Sequence, residues 1–193
     1  MELLQNVYKK IETLQVNHLL LDDEFLNFSV KTDEPQDLDI VFFNINEVEL
    51  LEKLKSLGFV LKERQTMILK KGKRIVRLDF YIDWINCGYY YLFPVVQSSS
   101  ECVYIAYQVL EPIVKFGNYK QRHIQRIKRY LDKFGRFSNN TTNLLSIAIG
   151  KTLTKKILKQ LLNNNYNISS TKVKWSLTFR NGNFNRILKE RIL

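Results

Sequence analysis

Two carboxylates in Asp37-Leu38-Asp39-Ile40-Val41-Phe42 stand two residues apart at the head of an apolar run. Such a run reads as a buried strand, and on a strand residues i and i+2 share a face. Asp37 and Asp39 therefore present their carboxylates together. Like charges that close repel, and a shared divalent cation is the simplest species that relieves them. A second run, from Arg74 to Trp84, alternates with period two. It places Val76, Leu78, Phe80, Ile82 and Trp84 on one face and Arg77, Asp79, Tyr81 and Asp83 on the other. Asp79 is the candidate third carboxylate, and Asp83, further along the same face, is its rival. The plainer reading of Asp-x-Asp is a solvated strand start or an Asx turn. The acidic face of the second run is what argues for chemistry.

The elements that must position these residues are legible around them. Leu3, Leu4, Val7, Ile11 and Leu14 recur at helical spacing, which predicts an amphipathic first helix. Val16–Leu21 reads as a short strand whose His18 is a core or edge residue rather than a ligand, with no second His beside it. Asn46 with Glu49 three residues on starts a helix whose stripe is Val48, Leu51, Leu54 and Leu57, and Gly58 fits its C-terminal turn. Phe59–Lys70 and Arg74–Trp84 form a hairpin about Lys71-Gly72-Lys73. Its basic tip either attracts an anion or is ordinary surface charge.

The second half is predominantly helical. Asn86–Ser100 is the expected boundary, with Gly88, Pro94 and Ser98-Ser-Ser as punctuation. Ser98-x-x-Glu101 resembles a capping box for a helix that Pro112 kinks or ends. Residues 119–134 form another helix, with Ile124, Ile127, Leu131 and Phe134 inward. On it Arg122, Arg126, Arg129 and Lys133 line one face, either as a polyanion-binding stripe or as a solvated surface. Thr141–Asn163 reads as one further helix. Gly150-Lys151-Thr152 within it lacks the upstream glycine of a phosphate loop, which excludes that motif. Val173–Arg180 reads as a strand and Phe184–Leu193 as a short basic helix. The division expected is 1–97 for an α/β core, 98–165 for a helical region and 166–193 for a basic tail.

The 193 residues, 45% of them apolar, suffice for one good core and a helical appendage. Thirty basic against nineteen acidic side chains give a net charge of +11, which favours a polyanionic partner: a nucleotide, a nucleic acid or an acidic membrane surface. Cys87 and Cys102 lack ligand-type spacing, which argues against a disulfide framework or structural zinc. With no signal-like or spanning apolar segment, a cytoplasmic soluble protein is expected.

The order of these motifs resembles a minimal nucleotidyltransferase-fold domain of the DNA polymerase β superfamily. More narrowly, it resembles the nucleotidyltransferase-like proteins of bacterial polysaccharide loci. The likeness spans roughly residues 1–135: a leading helix and strand, Asp37-Leu-Asp-Ile-Val-Phe, the helix ending Leu57-Gly58-Phe59, Leu78-Asp79, and Lys115-Phe-Gly-Asn-Tyr-Lys120. It implies an α+β fold, a mixed sheet with flanking helices followed by a helical C-terminal region. It also implies that Asp37, Asp39 and Asp79 bind Mg²⁺ (or Mn²⁺) and that Asp79 accepts the acceptor hydroxyl's proton. An NTP is the implied substrate, and surface-polysaccharide synthesis the implied setting. The family pattern places a Gly-Ser phosphate loop within Phe25–Gln36; here no glycine precedes Gly58, and Ser29 and Lys31 are the phosphate contacts it leaves. The alternative is a degenerate domain that binds nucleotide, nucleic acid or a partner without catalysis. A third possibility is a peripheral membrane protein resting Trp175 and Phe184 on an anionic surface.

Overall fold

Leu38, Ile40 and Phe42 on one strand, and Val76, Leu78 and Phe80 on another, supply the apolar face on which the N-terminal half of the chain is built. The computed structural model describes residues 2–21, 37–95 and 99–192. It is an α+β protein whose contacts divide it into two units, with the change falling between Asp83 and Trp84.

The first unit begins with helix α1 (Glu2–Glu12) and strand β1 (His18–Leu20). Strand β2 (Asp37–Phe42) and helix α2 (Glu47–Ser56) follow. Strands β3 (Val60–Glu63), β4 (Thr66–Lys71) and β5 (Arg74–Ile82) complete it. The strand order is β1-β2-β5-β4-β3. Only β2 and β5 are parallel; every other neighbouring pair in this path is antiparallel. A parallel pair needs a long crossover, and α2 with the β3–β4 hairpin provides it. Leu4, Val7 and Ile11 of α1 and Leu50 and Leu54 of α2 bury against the sheet's apolar face.

Several local devices fix these elements. Asn46 caps α2, its side chain accepting from the Glu49 N–H at 2.9 Å. Gly58, at φ +92°, makes the left-handed turn that follows the helix. The α2 stripe is rotated from expectation: Leu50 and Leu54 are fully buried, Leu51 and Leu57 pack at its border, and Val48 is exposed. Phe59–Lys70 is two strands rather than one, because the chain turns between Glu63 and Thr66. The β4–β5 turn lies at Gly72-Lys73, with Lys71 paired to Arg74. His18 is an edge residue, bonded to the Tyr8 hydroxyl at 3.0 Å and the Val16 carbonyl at 2.8 Å.

The second unit opens with a hairpin of β6 (Trp84–Cys87) and β7 (Tyr90–Pro94). Trp84 thus belongs to a new strand rather than to the end of β5. Helix α3 (Ser100–Glu111) is capped by Ser99, one residue later than the expected Ser98. At Pro112 the α-helix gives way to a π-helical turn, Pro112–Phe116, closed by Gly117 in the left-handed region. Helix α4 (Gln121–Phe134) follows.

The expected single helix over 141–163 is two, α5 (Asn139–Ile149) and α6 (Lys151–Leu162). Gly150 separates them at φ 82°, ψ 151°, a region that only glycine visits freely. Helices α7 (Ser170–Thr178) and α8 (Asn183–Ile192) end the described chain. The expected strand at 173–180 is therefore mostly helix. Val173 and Leu177, spaced i and i+4, bury into the unit, and that packing outweighs the strand preference of Val173, Trp175 and Phe179. No helix among the described residues is long and apolar enough to cross a membrane.

Candidate functional site

Alternation places Asp37 and Asp39 on the face of β2 that Leu38 and Ile40 do not use, and the same alternation sets Arg77 and Asp79 opposite Val76 and Leu78 on β5. The parallel register then pairs Asp37 with Arg77 and Asp39 with Asp79. On the other side of β5 the antiparallel register pairs Asp79 with Thr66 and Arg77 with Ile68. One row across three strands is thus Asp39, Asp79, Thr66, and the row beside it is Asp37, Arg77, Ile68. Neighbouring strands lie about 4.8 Å apart, so the three aspartates occupy one small area of sheet.

Arg77 organises that area. Its Nε donates to Asp79 Oδ1 at 3.0 Å, and its second terminal nitrogen lies 3.0 Å from Asp79 Oδ2. Thr66 adds a hydroxyl bond to the same Oδ1 at 2.5 Å. Burial works against the Arg77 cation. The hydrogen bond and the charge of Asp79, then the charges of Asp37 and Asp39, outweigh it and hold the guanidinium pKa above its ordinary value. All three carboxylates therefore act on one cation. The sequence places Arg77 on the acidic face, but nothing in its spacing marks it as the partner of Asp79.

Asp83, the rival third carboxylate, has a different task. It sits at φ +56°, a conformation Asp tolerates better than most residues, and ends β5 there. Its N–H donates to the Phe42 carbonyl at 2.9 Å, and its Oδ1 accepts from the Asn44 N–H at 3.1 Å. It ties the exit of β2 to the exit of β5. Tyr81, on the same face of β5, is buried.

Hard carboxylate oxygens are the donors Mg²⁺ or Mn²⁺ takes, so the donor chemistry of Asp37 and Asp39 fits such an ion. Among the described residues, however, no three His, Cys, Asp or Glu side chains are grouped closely enough to hold one. Asp79 is engaged by Arg77 and Thr66. Ser29 and Lys31, the expected phosphate contacts, lie outside the described residues.

In the second unit the basic face of α4 is less uniform than its spacing suggests. Arg129 and Lys133 are exposed, whereas Arg122 and Arg126 are half-buried. Arg126 reaches the Gln108 side chain at 3.5 Å, and Lys133 pairs with Glu101 at 3.5 Å. The buried stripe is His123, Ile127 and Tyr130; Ile124 and Leu131 are only half-buried, and Phe134 is exposed. His123 escaped the sequence reading because it occupies an apolar position of the helical period. Its Nδ1 accepts from the Lys120 N–H at 3.3 Å, and its Nε2 lies 3.5 Å from Glu111 Oε2. Lys115 approaches the other Glu111 oxygen at 3.5 Å. Burial raises the Glu111 pKa, but the His123 hydrogen bond and the Lys115 charge outweigh it and hold the carboxyl below its ordinary value. Burial also pushes the Cys87 thiol up to about 12, which removes it as a nucleophile near neutrality.

No protein-family model matches this sequence, and a comparison with curated proteins finds no match.

Proposed function

We propose that the chain is a nucleotidyltransferase-like protein of the DNA polymerase β superfamily type, moving a nucleotidyl group from an NTP to a hydroxyl acceptor with release of pyrophosphate. A saccharide of a surface polysaccharide is the acceptor class the resemblance suggests, and an NTP substrate implies a cytoplasmic setting. The observation that carries this reading is the register of Asp39 with Asp79 on parallel neighbouring strands, with Asp37 on the same face. Three carboxylates and one guanidinium leave two excess negative charges, the complement of one divalent cation.

Asp37 and Asp39 would hold Mg²⁺ or Mn²⁺, which when bound supplies charge neutralisation for the phosphoryl oxygens. Asp79 becomes available as a ligand, or as the base for the acceptor hydroxyl, when Arg77 releases it. The released guanidinium would then be free to pair with a phosphate, an anion its planar fork suits. Ser29 and Lys31 remain the proposed phosphate contacts.

Calorimetry with Mg²⁺ and then with NTP, on the wild type and Asp39→Asn, tests the reading. Magnesium-dependent NTP binding that the substitution abolishes is expected. NTP binding indifferent to metal and to Asp39 defeats it.

A non-catalytic reading is favoured by the Arg77–Asp79 clasp, which neutralises the third carboxylate within the chain itself. On that reading the domain binds nucleotide, nucleic acid or a partner, with Arg122, Arg126, Arg129 and Lys133 as the polyanion contacts. Strong salt dependence without any metal requirement distinguishes it.

A further inference from the structure

The excess of basic over acidic residues accumulates in one stretch of the sequence. Between Asp132 and Glu190 there is no acidic residue, while eleven Lys and Arg occur. Removing those eleven from the thirty basic residues leaves nineteen, which the nineteen acidic residues balance. The whole excess of +11 therefore falls in the stretch between Asp132 and Glu190, from the last turn of α4 into α8.

Within that interval the surface carries an aromatic ridge. Trp175 of α7 and Phe179, the residue capping its C-terminus, are 64% and 62% exposed, and their ring centroids lie 5.2 Å apart. Phe184 of α8 extends the ridge, its ring stacked on Phe179 at 5.8 Å with 20° between the planes. Water-facing rings in a row cost free energy that a purely structural role would avoid, and patches of this kind mark binding surfaces.

Two clefts border the ridge, and Trp175 and Phe179 line both of them. One, of about 350 Å³, is further lined by Tyr90, Ser170, Thr171, Lys174 and Thr178. The other, of about 540 Å³, is further lined by Ser176 and Arg180. The Arg180 guanidinium lies over Gly150, where a Cβ would stand 2.6 Å from it. Ser176 bonds the Ile149 carbonyl at 2.7 Å, which pins α7 to the same turn.

We propose that this ridge and its two clefts bind single-stranded nucleic acid. Bases stack on the Trp175, Phe179 and Phe184 rings, whose faces accept any base, and the backbone phosphates run past Lys174 and Arg180. The cleft walls favour this occupant over a lipid bilayer. Each cleft beside the rings has hydroxyl-bearing and basic residues in its lining, which suits a polar polymer lying along them better than an acyl region receiving a bare apolar tip. Duplex is disfavoured because its bases are already stacked.

The test uses the full chain and a fluorescein-labelled thymidine oligonucleotide of about 20 nucleotides. The matching duplex and phosphatidylcholine/phosphatidylserine vesicles serve as competitors. The only other tryptophan is Trp84, so Trp84→Phe leaves Trp175 as the reporter. The oligonucleotide should quench its emission. Trp175→Ala and Phe179→Ala, at exposed positions that leave folding intact, should each weaken binding about tenfold. Lys174→Gln with Arg180→Gln should lower the slope of log affinity against log salt by about one to two. Oligonucleotide binding that ignores both ring substitutions overturns the proposal. So does capture by vesicles with no oligonucleotide binding, which assigns the ridge to a membrane. Self-association lost in Trp175→Ala, again with no oligonucleotide binding, assigns it to a second copy and equally overturns the proposal.

Discussion

Arg77 and Asp79 stand two residues apart on one strand, and the guanidinium grips both oxygens of the carboxylate at 3.0 Å. Residues so spaced share a face, which makes the clasp possible without any bend in β5. Its consequence is competition: whatever cation approaches Asp37 and Asp39 meets one already there.

Arg77→Gln removes that competitor. Under the nucleotidyltransferase reading, Mg²⁺ affinity rises about tenfold, the scale of one unit charge a few ångströms from a divalent ion in a solvated site. Loss of the partly exposed ion pair costs about 1 kcal/mol of stability in the absence of metal. Titration calorimetry with urea melts reads both. An unchanged Mg²⁺ affinity would mean that Arg77 and the ion do not compete.

Asn183 is fully buried and makes three bonds. Its side-chain oxygen accepts from the Tyr91 N–H at 2.7 Å, and its amide donates to the Tyr91 and Leu177 carbonyls at 3.0 and 2.9 Å. Asn183→Leu takes the acceptor from the Tyr91 N–H and one donor from each carbonyl, with Asn181 Nδ2 left as a donor to Tyr91 and the Arg180 N–H as a donor to Leu177, and is expected to cost about 2–3 kcal/mol. Asn183→Asp, which also buries a charge facing two carbonyls, should cost more. Urea midpoints rank the two variants, and the opposite order would contradict this account.

The Glu111 carboxyl, held below its ordinary pKa, gives the stability curve a predictable arm. A depressed carboxyl contributes stability in full above its unfolded value, about 4.3, and loses it as pH falls through the folded value. Urea midpoints for the wild type and Glu111→Gln should differ most near neutrality and converge below about pH 4. A constant gap at all pH values would show that Glu111 is not ionised in the native state.

Gly150→Ala tests the break between α5 and α6. Its φ of 82° with ψ of 151° is strained for any residue with a Cβ, at about 1–3 kcal/mol. Contact with Arg180 adds little, because that side chain can yield. Thermal melts of Gly150→Ala alone and with Arg180→Ala should therefore show nearly the same loss. Full rescue by the second substitution would place the cost in the contact instead.

The sequence made local geometry legible and left partnerships hidden. Alternation assigned Asp37, Asp39, Arg77 and Asp79 to non-core faces, and capping chemistry located Asn46 and Gly58, because both are properties of a few adjacent residues. That β2 and β5 are parallel neighbours, with Asp39 beside Asp79, depends on residues far apart in the chain and has no local signature. The 141–163 stretch keeps a helical period through Gly150, and periodicity does not report the one backbone conformation that interrupts it. At Val173–Arg180, β-branched and aromatic residues imitated a strand, and only the burial of Val173 and Leu177 on one face reveals the helix. His123 was hidden by standing where the helical period calls for an apolar residue.

The parallel pairing of β2 and β5 also determines how faithfully the carboxylates are aligned. A slip of one residue would turn Leu38, Ile40 and Phe42 out of the core, so hydrophobic burial, not the repelling aspartates, locks Asp39 beside Asp79. The alignment is thus a by-product of core formation and survives any substitution that spares the apolar side of β2. It is also late. The β4–β5 hairpin closes over a two-residue turn, whereas β2 must return across the whole crossover to dock on β5, and contacts of long sequence separation form slowly. In the nascent chain Asp79 therefore joins Asp37 and Asp39 only once the crossover has brought β5 to β2.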